Sequence, residues 1–153
     1  MITEAHIAHS VRDIFKTADL VVPNVSWGFL DWEADLLVVT QRGRLNEIEI
    51  KTSVADFRAD AKKDKWLRPV INQRFNETIN CFYYAMPLEV YEKVKDEIPE
   101  FSGAIVYYHE TKKSAVTKKP KVNRDARSLK DSDKVKLARL LGFRYWNLVR
   151  SSE

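Results

Sequence analysis

Apolar residues recur along this chain with two different periods, and each switch of period marks an element. Within residues 3–18, Ile7, Val11, Ile14 and Phe15 stand at helical spacing behind Thr3, a hydroxyl residue suited to an N-cap. Leu20–Val25 is a short apolar run in which Pro23 cannot donate to a ladder, so it reads as an edge strand or an irregular lead-in, and Trp27-Gly28 breaks it. From Asp31 to Thr52 two apolar strands, one carrying Leu36-Leu-Val-Val and the other the Ile48/Ile50 alternation, flank the turn Gln41-Arg-Gly-Arg44 as a β-hairpin. Thr52 or Ser53 then caps a helix from about Val54 to Lys65; Arg68-Pro69 interrupts, and the segment to Glu77 fits neither period.

The second half repeats the alternation of types. Asn80–Met86 reads as a buried strand stopped by Pro87, Leu88–Glu97 as a helix turning Val90, Tyr91 and Val94 inward before Pro99, and Gly103–Tyr108 as another strand. Ser114–Thr117 is a short partner for that strand across the Glu110–Lys113 turn, and Lys118–Asn123 an exposed connector. Asp131–Val149 closes the chain as a helix with Val135, Leu137, Leu140, Leu141 and Trp146 on its apolar side. This order predicts an α/β sandwich with a mixed β-sheet flanked by helices.

Length keeps these elements together: 153 residues, 44% of them hydrophobic, suffice for one core but not comfortably for two. Residues 1–153 therefore read as a single domain, with a basic connector over about 112–128 and a C-terminal helix over about 131–149. No apolar run approaches the roughly 20 residues of a membrane span. Met-Ile-Thr-Glu-Ala-His at the start lacks the basic region and apolar core of a signal peptide, so the expected location is cytoplasmic. Cys81 is the one cysteine, which excludes an intrachain disulfide and a zinc-knuckle spacing; it reads as a small core residue. His6, His9 and His109 have no paired ligand spacing and read as surface or partly buried residues.

The chemistry lies in the hairpin. Alternate side chains of a strand share a face, so Glu33 and Asp35 lie on one side of the first strand and Glu47, Glu49 and Lys51 on one side of the second. Pairing the strands gathers carboxylates around one ammonium, a costly arrangement to bury unless a divalent cation joins it.

Asp35 followed by Glu49-Ile50-Lys51 resembles the D…E-x-K pattern of the PD-(D/E)xK nucleases, the restriction-endonuclease-like superfamily. The continuation Glu-Ile-Lys-x-Ser-x-x-Asp-Phe-x-x-Asp-x-Lys over residues 49–62 is similar to its MmcB-type DNA-repair and phage-encoded branches. The resemblance covers roughly residues 30–110. It implies an α-β-β-β-α-β core and a metal-dependent nuclease acting in DNA repair, recombination or phage DNA processing. It further implies that Asp35 and Glu49 ligate Mg²⁺ or Mn²⁺ together with the backbone carbonyl of Ile50, that Lys51 sits beside the attacking water, and that Glu4 on the first helix is a candidate extra ligand. Glu33, Glu47, Ser53, Asp56 and Asp60 are candidates to support that set from behind. The competing reading of Glu49 and Lys51 is an exposed same-face strand pair worth little energetically.

A formal charge of +4 is unevenly spread: from Lys112 to Arg144 twelve lysines and arginines face three aspartates. Such a segment suits a polyanion, and Lys62, Lys65, Lys118, Lys119, Lys121 and Arg124 are the candidate DNA contacts; a solvated surface is the plainer account. Exposed aromatics among Trp27, Trp32, Trp66, Tyr83, Tyr84, Tyr107, Tyr108 and Trp146 could stack on unpaired bases, although most are expected in the core. The resemblance also implies a homodimer, for which the C-terminal helix with Trp146 is a candidate interface, and a chain with no obvious separate recognition domain suits a targeting partner. The alternative function is a catalytically inactive nucleic-acid- or protein-binding module on the same fold.

Overall fold

In the computed structural model, which describes residues 1–25, 33–60 and 78–152, the early apolar runs become an antiparallel meander. Its strands are β1 (Leu20–Val25), β2 (Ala34–Val39) and β3 (Leu45–Ile50). β4 (Ile79–Pro87) joins β3 in parallel, β5 (Gly103–Tyr108) joins β4 in parallel, and β6 (Lys113–Lys118) folds back antiparallel on β5. The result is one mixed sheet in the order β1-β2-β3-β4-β5-β6. Among the described residues four helices flank it: α1 (Glu4–Ile14), α2 (Val54–Asp60), α3 (Leu88–Val94), which runs on into a 3₁₀ turn over Lys95–Glu97, and α4 (Asp131–Ser151). The first six described elements run α-β-β-β-α-β, as expected. The readings at Trp27, Trp32, Lys62, Lys65, Trp66 and Arg68-Pro69 lie outside the described residues.

Both faces of the sheet are covered, which explains why all six residues of β3 are buried, its acids included. Leu37, Leu45, Phe82, Tyr84 and Met86 pack on one face against Phe57 of α2, Val90 and Val94 of α3 and Leu137 of α4. Leu36, Val38, Ile48, Ile50 and Ala85 pack on the other against Ile7 and Val11 of α1. Thr3 caps α1 reciprocally with His6. The helix stops at Ile14 rather than at residue 18: the Phe15 backbone leaves the helical conformation, its N–H is shared between the Val11 and Arg12 carbonyls, and the chain bends toward β1. Pro23 lies in an edge strand, opposite Leu36. Cys81 is buried and unpaired, and among the described residues no helix is long and apolar enough to cross a membrane.

The C-terminal helix differs from expectation in its orientation. Leu137 is buried and Leu140 and Leu141 pack against the core, whereas Val135 and Trp146 are exposed, with Phe143, Tyr145 and Leu148 beside them. At 100° per residue, position 135 stands 200° from Leu137, and position 146 stands 200° from Arg144, whose guanidinium reaches back to the Asn24 carbonyl. The inward stripe is therefore 137-140-141-144.

One irregularity positions the site. The ladder between β2 and β3 ends at Leu36–Ile48, yet β2 stays paired with β1 as far as Ala34 and β3 with β4 as far as Ile50. The two central strands part there and leave a notch.

Candidate active site

Asp35 stands at the mouth of that notch. Its Oδ2 accepts the Ile50 N–H at 2.7 Å, replacing the ladder bond that the parted strand no longer supplies. The two hydrogen-bonding groups of a strand residue point to the same side, and the Lys51 N–H already donates across to Ala85 on β4, so the Ile50 carbonyl faces the notch as well. Its side chain is committed to the core on the α1 side.

Behind Asp35 the alternation of β3 stacks Glu47, Glu49 and Lys51 on one face, with 0%, 4% and 3% of their surface exposed. That burial overturns the exposed-pair reading of Glu49 and Lys51. Lys51 Nζ donates to Glu49 Oε1 at 3.0 Å and to Asp60 Oδ1 at 3.2 Å. Asp60, the last residue of α2, is fully buried and accepts the Tyr84 hydroxyl on Oδ2 at 2.6 Å. Tyr84 lies directly across the β3–β4 ladder from Glu49. A continuous chain of polar contacts therefore runs Tyr84–Asp60–Lys51–Glu49.

The electrostatics follow from this crowding. Burial, then the charge of Glu49, pushes the Asp35 carboxyl up to about 6; Glu4 adds to the rise, while the Ile50 N–H and Lys51 oppose it. Burial alone would lower the Lys51 ammonium, but the charges of Glu49 and Asp60, the hydrogen bond to Glu49 and the charge of Asp56 outweigh it and hold Lys51 above its ordinary value. Tyr84 is pushed far up by burial, the bond to Asp60 and the charges of Asp60, Glu49 and Glu47, and stays a hydrogen donor.

The expected residues thus divide into three groups. Asp35, Glu49, Lys51, the Ile50 main chain, Glu47 and Asp60 come together, and Glu4, exposed at the start of α1, lies within electrostatic reach of Asp35. Ser53 spends its hydroxyl on capping α2, accepting the Asp56 N–H at 3.1 Å; Asp56 is exposed, and Glu33 is exposed just before β2. The basic candidates stand apart. Lys118 donates to the Pro99 carbonyl, the Lys121 N–H bonds Phe101 ahead of β5, and the Asn123 N–H bonds Asn80 at the start of β4, so Lys119, Lys121 and Arg124 lie at the sheet end opposite the notch. Tyr84 is the site residue that sequence reasoning placed only among aromatics. Its signal was a phenol on a buried strand, which needs a partner for its hydroxyl.

Among the described residues, no three His, Cys, Asp or Glu side chains form a preassembled metal cage. The donor set is instead two carboxylates and one carbonyl, all hard oxygens of the kind Mg²⁺ and Mn²⁺ take along with water. A cation there would offset the burial and the Glu49 charge that together raise Asp35.

The chain matches no protein-family model and no curated protein sequence. It is similar in structure to the SPO1766 protein of unknown function from Silicibacter pomeroyi, with a TM-score of 0.63 and 18% identity over 99% of this chain and 91% of that one. That likeness establishes the shared fold.

Proposed function

We propose that this protein is a Mg²⁺- or Mn²⁺-dependent DNA phosphodiesterase of the PD-(D/E)xK type, acting in the cytoplasm in DNA repair, recombination or phage DNA processing. The observation that carries the reading is the notch itself: Asp35 hydrogen-bonded to the Ile50 amide where β2 and β3 part, with Glu49 and Lys51 on the adjoining strand. Asp35, Glu49 and the Ile50 carbonyl would hold the cation, with Glu4 near enough to add a carboxylate. The bound ion supplies Lewis-acid stabilisation of phosphoryl charge and an acidified water. Lys51, held as an ammonium by Glu49 and Asp60, brings a fixed positive charge to the developing negative charge on phosphate. Asp60 and Tyr84 keep that ammonium in place.

One observation favours the second reading, an inactive binding module: Lys51 is already satisfied by two buried carboxylates, as in a purely structural ion cluster. Calorimetric titration of Mg²⁺ and Mn²⁺ into the wild type and Asp35→Ala, beside a labelled DNA panel, separates the two. Metal binding that is lost in the variant and accompanies cleavage is expected. No metal binding at millimolar concentrations would overturn the nuclease and leave the module.

A further inference from the structure

At the sheet end away from the notch, the C-terminus of α1, the Thr40–Arg44 turn and the segment around Arg124 enclose a cleft of about 850 Å³. That is a size suited to a compact organic ligand. Its apolar floor includes Ile14, Phe15 and Val38, its rim carries Arg42, Arg44 and Arg124, and among the described residues no acidic side chain lines it. Arg44 is spent on the fold, since its guanidinium donates to the Ala126 carbonyl. Arg42 and Arg124 are exposed, and among the described residues neither takes part in an ion pair. Lys134 adds charge beside the same turn, 3.6 Å from where a Cβ on Gly43 would stand.

An arginine rim above an apolar floor that includes an aromatic ring suits an anion with a flat, partly apolar body, which is the chemistry of a nucleotide.

We propose that this cleft is a second nucleic-acid site, taking one nucleotide of a single strand with its phosphates on Arg42 and Arg124 and its base over Phe15 and Val38. The inference rests on the reading of the protein as one that engages nucleic acid, but not on its metal chemistry or on cleavage. Glu4 at one end of α1 lies near the notch and Phe15 follows its other end. At about 1.5 Å per residue the helix separates the two sites by roughly 16 Å, about five nucleotides at roughly 3.4 Å each. The cleft then fixes flanking strand while the notch receives the scissile phosphate.

The test is metal-free, so that cutting plays no part. Fluorescence anisotropy of a short labelled single-stranded DNA is compared between the wild type and Arg42→Ala/Arg124→Ala across a salt series, with unfolding midpoints checked in parallel. The double variant is expected to bind at least about tenfold more weakly. Its slope of log affinity against log salt is expected to fall by about 1.4, since each single-strand phosphate contact contributes about 0.7. Arg42→Glu/Arg124→Glu is expected to weaken binding further. Unchanged affinity and slope in both variants would overturn the inference, as would a free mononucleotide or inorganic phosphate that displaces the strand at equal concentration. Cleavage by the wild type with Mg²⁺ is scored separately: loss of binding without any cleavage upholds the cleft and sinks the nuclease, and cleavage with unaltered binding does the reverse.

Discussion

Tyr84 gives its phenolic hydrogen to Asp60 at 2.6 Å, and Asp60 turns its other oxygen to Lys51 at 3.2 Å. The tyrosine belongs to β4 and the aspartate to the end of α2, so this bond ties the helix after β3 to the next strand of the sheet. The position of a charge in the notch is set by groups that do not themselves border it.

Tyr84→Phe removes one donor while keeping the ring that packs edge-on against Phe57 and Phe82, each 5.0 Å away between centroids. The buried hydrogen bond to the Asp60 carboxylate is lost, which costs about 1–3 kcal/mol. Urea unfolding is expected to show a lower midpoint at an unchanged m-value. An unaltered midpoint would mean that the hydroxyl contributes nothing to the network.

Lys51→Met preserves bulk but withdraws the cation that contacts both Glu49 and Asp60. The observed burial of the pair predicts a loss of about 3–5 kcal/mol at neutral pH. The loss should shrink on acidification, as the abandoned carboxylates take up protons. In the wild type the Lys51 pKa is raised, so its contribution is complete below the ordinary value of 10.5 and fades only as pH climbs through the higher folded value. Chemical denaturation of both proteins across pH checks the two slopes.

Asp35 gives the opposite sign to an ordinary ion-paired carboxylate. Its pKa rises from 3.8 to about 6 on folding, so the folded protein holds this proton more tightly and its stability declines between those two values, then levels off. At about 1.36 kcal/mol per pH unit the decline is at most about 3 kcal/mol, and nearer 1–2 for a side chain partly open to water. Asp35→Asn keeps an acceptor for the Ile50 amide and is expected to abolish the decline, leaving the variant more stable above pH 6 but unable to bind Mg²⁺. If Asp35 ligates the ion as proposed, the ion must displace the proton, so calorimetric Mg²⁺ affinity should weaken about tenfold per unit below pH 6. A flat affinity from pH 5 to 7 would remove Asp35 from the ligand set.

Gly103 opens β5 against an aromatic wall. A Cβ there would lie 2.6 Å from Tyr83 Cδ1 and 3.0 Å from Pro120 Cδ, and Tyr83 is itself packed edge-on against Phe15. Gly103→Ala is expected to cost about 1–3 kcal/mol, the usual penalty of overpacking, read as a fall in the thermal midpoint.

The sequence carried the strands well because their signals are local. Pro23 marked an edge strand, the turn at Gln41–Arg44 fixed the hairpin, and Pro87 closed β4 where expected. The grouping of Asp35, Glu49 and Lys51 followed from alternation alone, given the right register. What stayed hidden depends on contacts between distant segments. Asp60 and Tyr84 meet only because α2 returns over β4, and no spacing in the chain encodes a bond between residues 24 positions apart. The outward turn of Trp146 was hidden for a related reason: its helix carries apolar residues on several sides, and only docking against β1 selects the stripe that faces inward. The separation of Lys119, Lys121 and Arg124 from the notch likewise required the direction of β5 and the pinning of Asn123 on Asn80.

Because a carboxylate rather than a neighbouring strand completes the Ile50 amide, that amide proton is a resident spectroscopic reporter of the notch. Its resonance should move as Asp35 titrates near pH 6, and again when a cation draws the carboxylate away. The Lys51 amide next to it, anchored on Ala85, should stay still and serve as the internal reference.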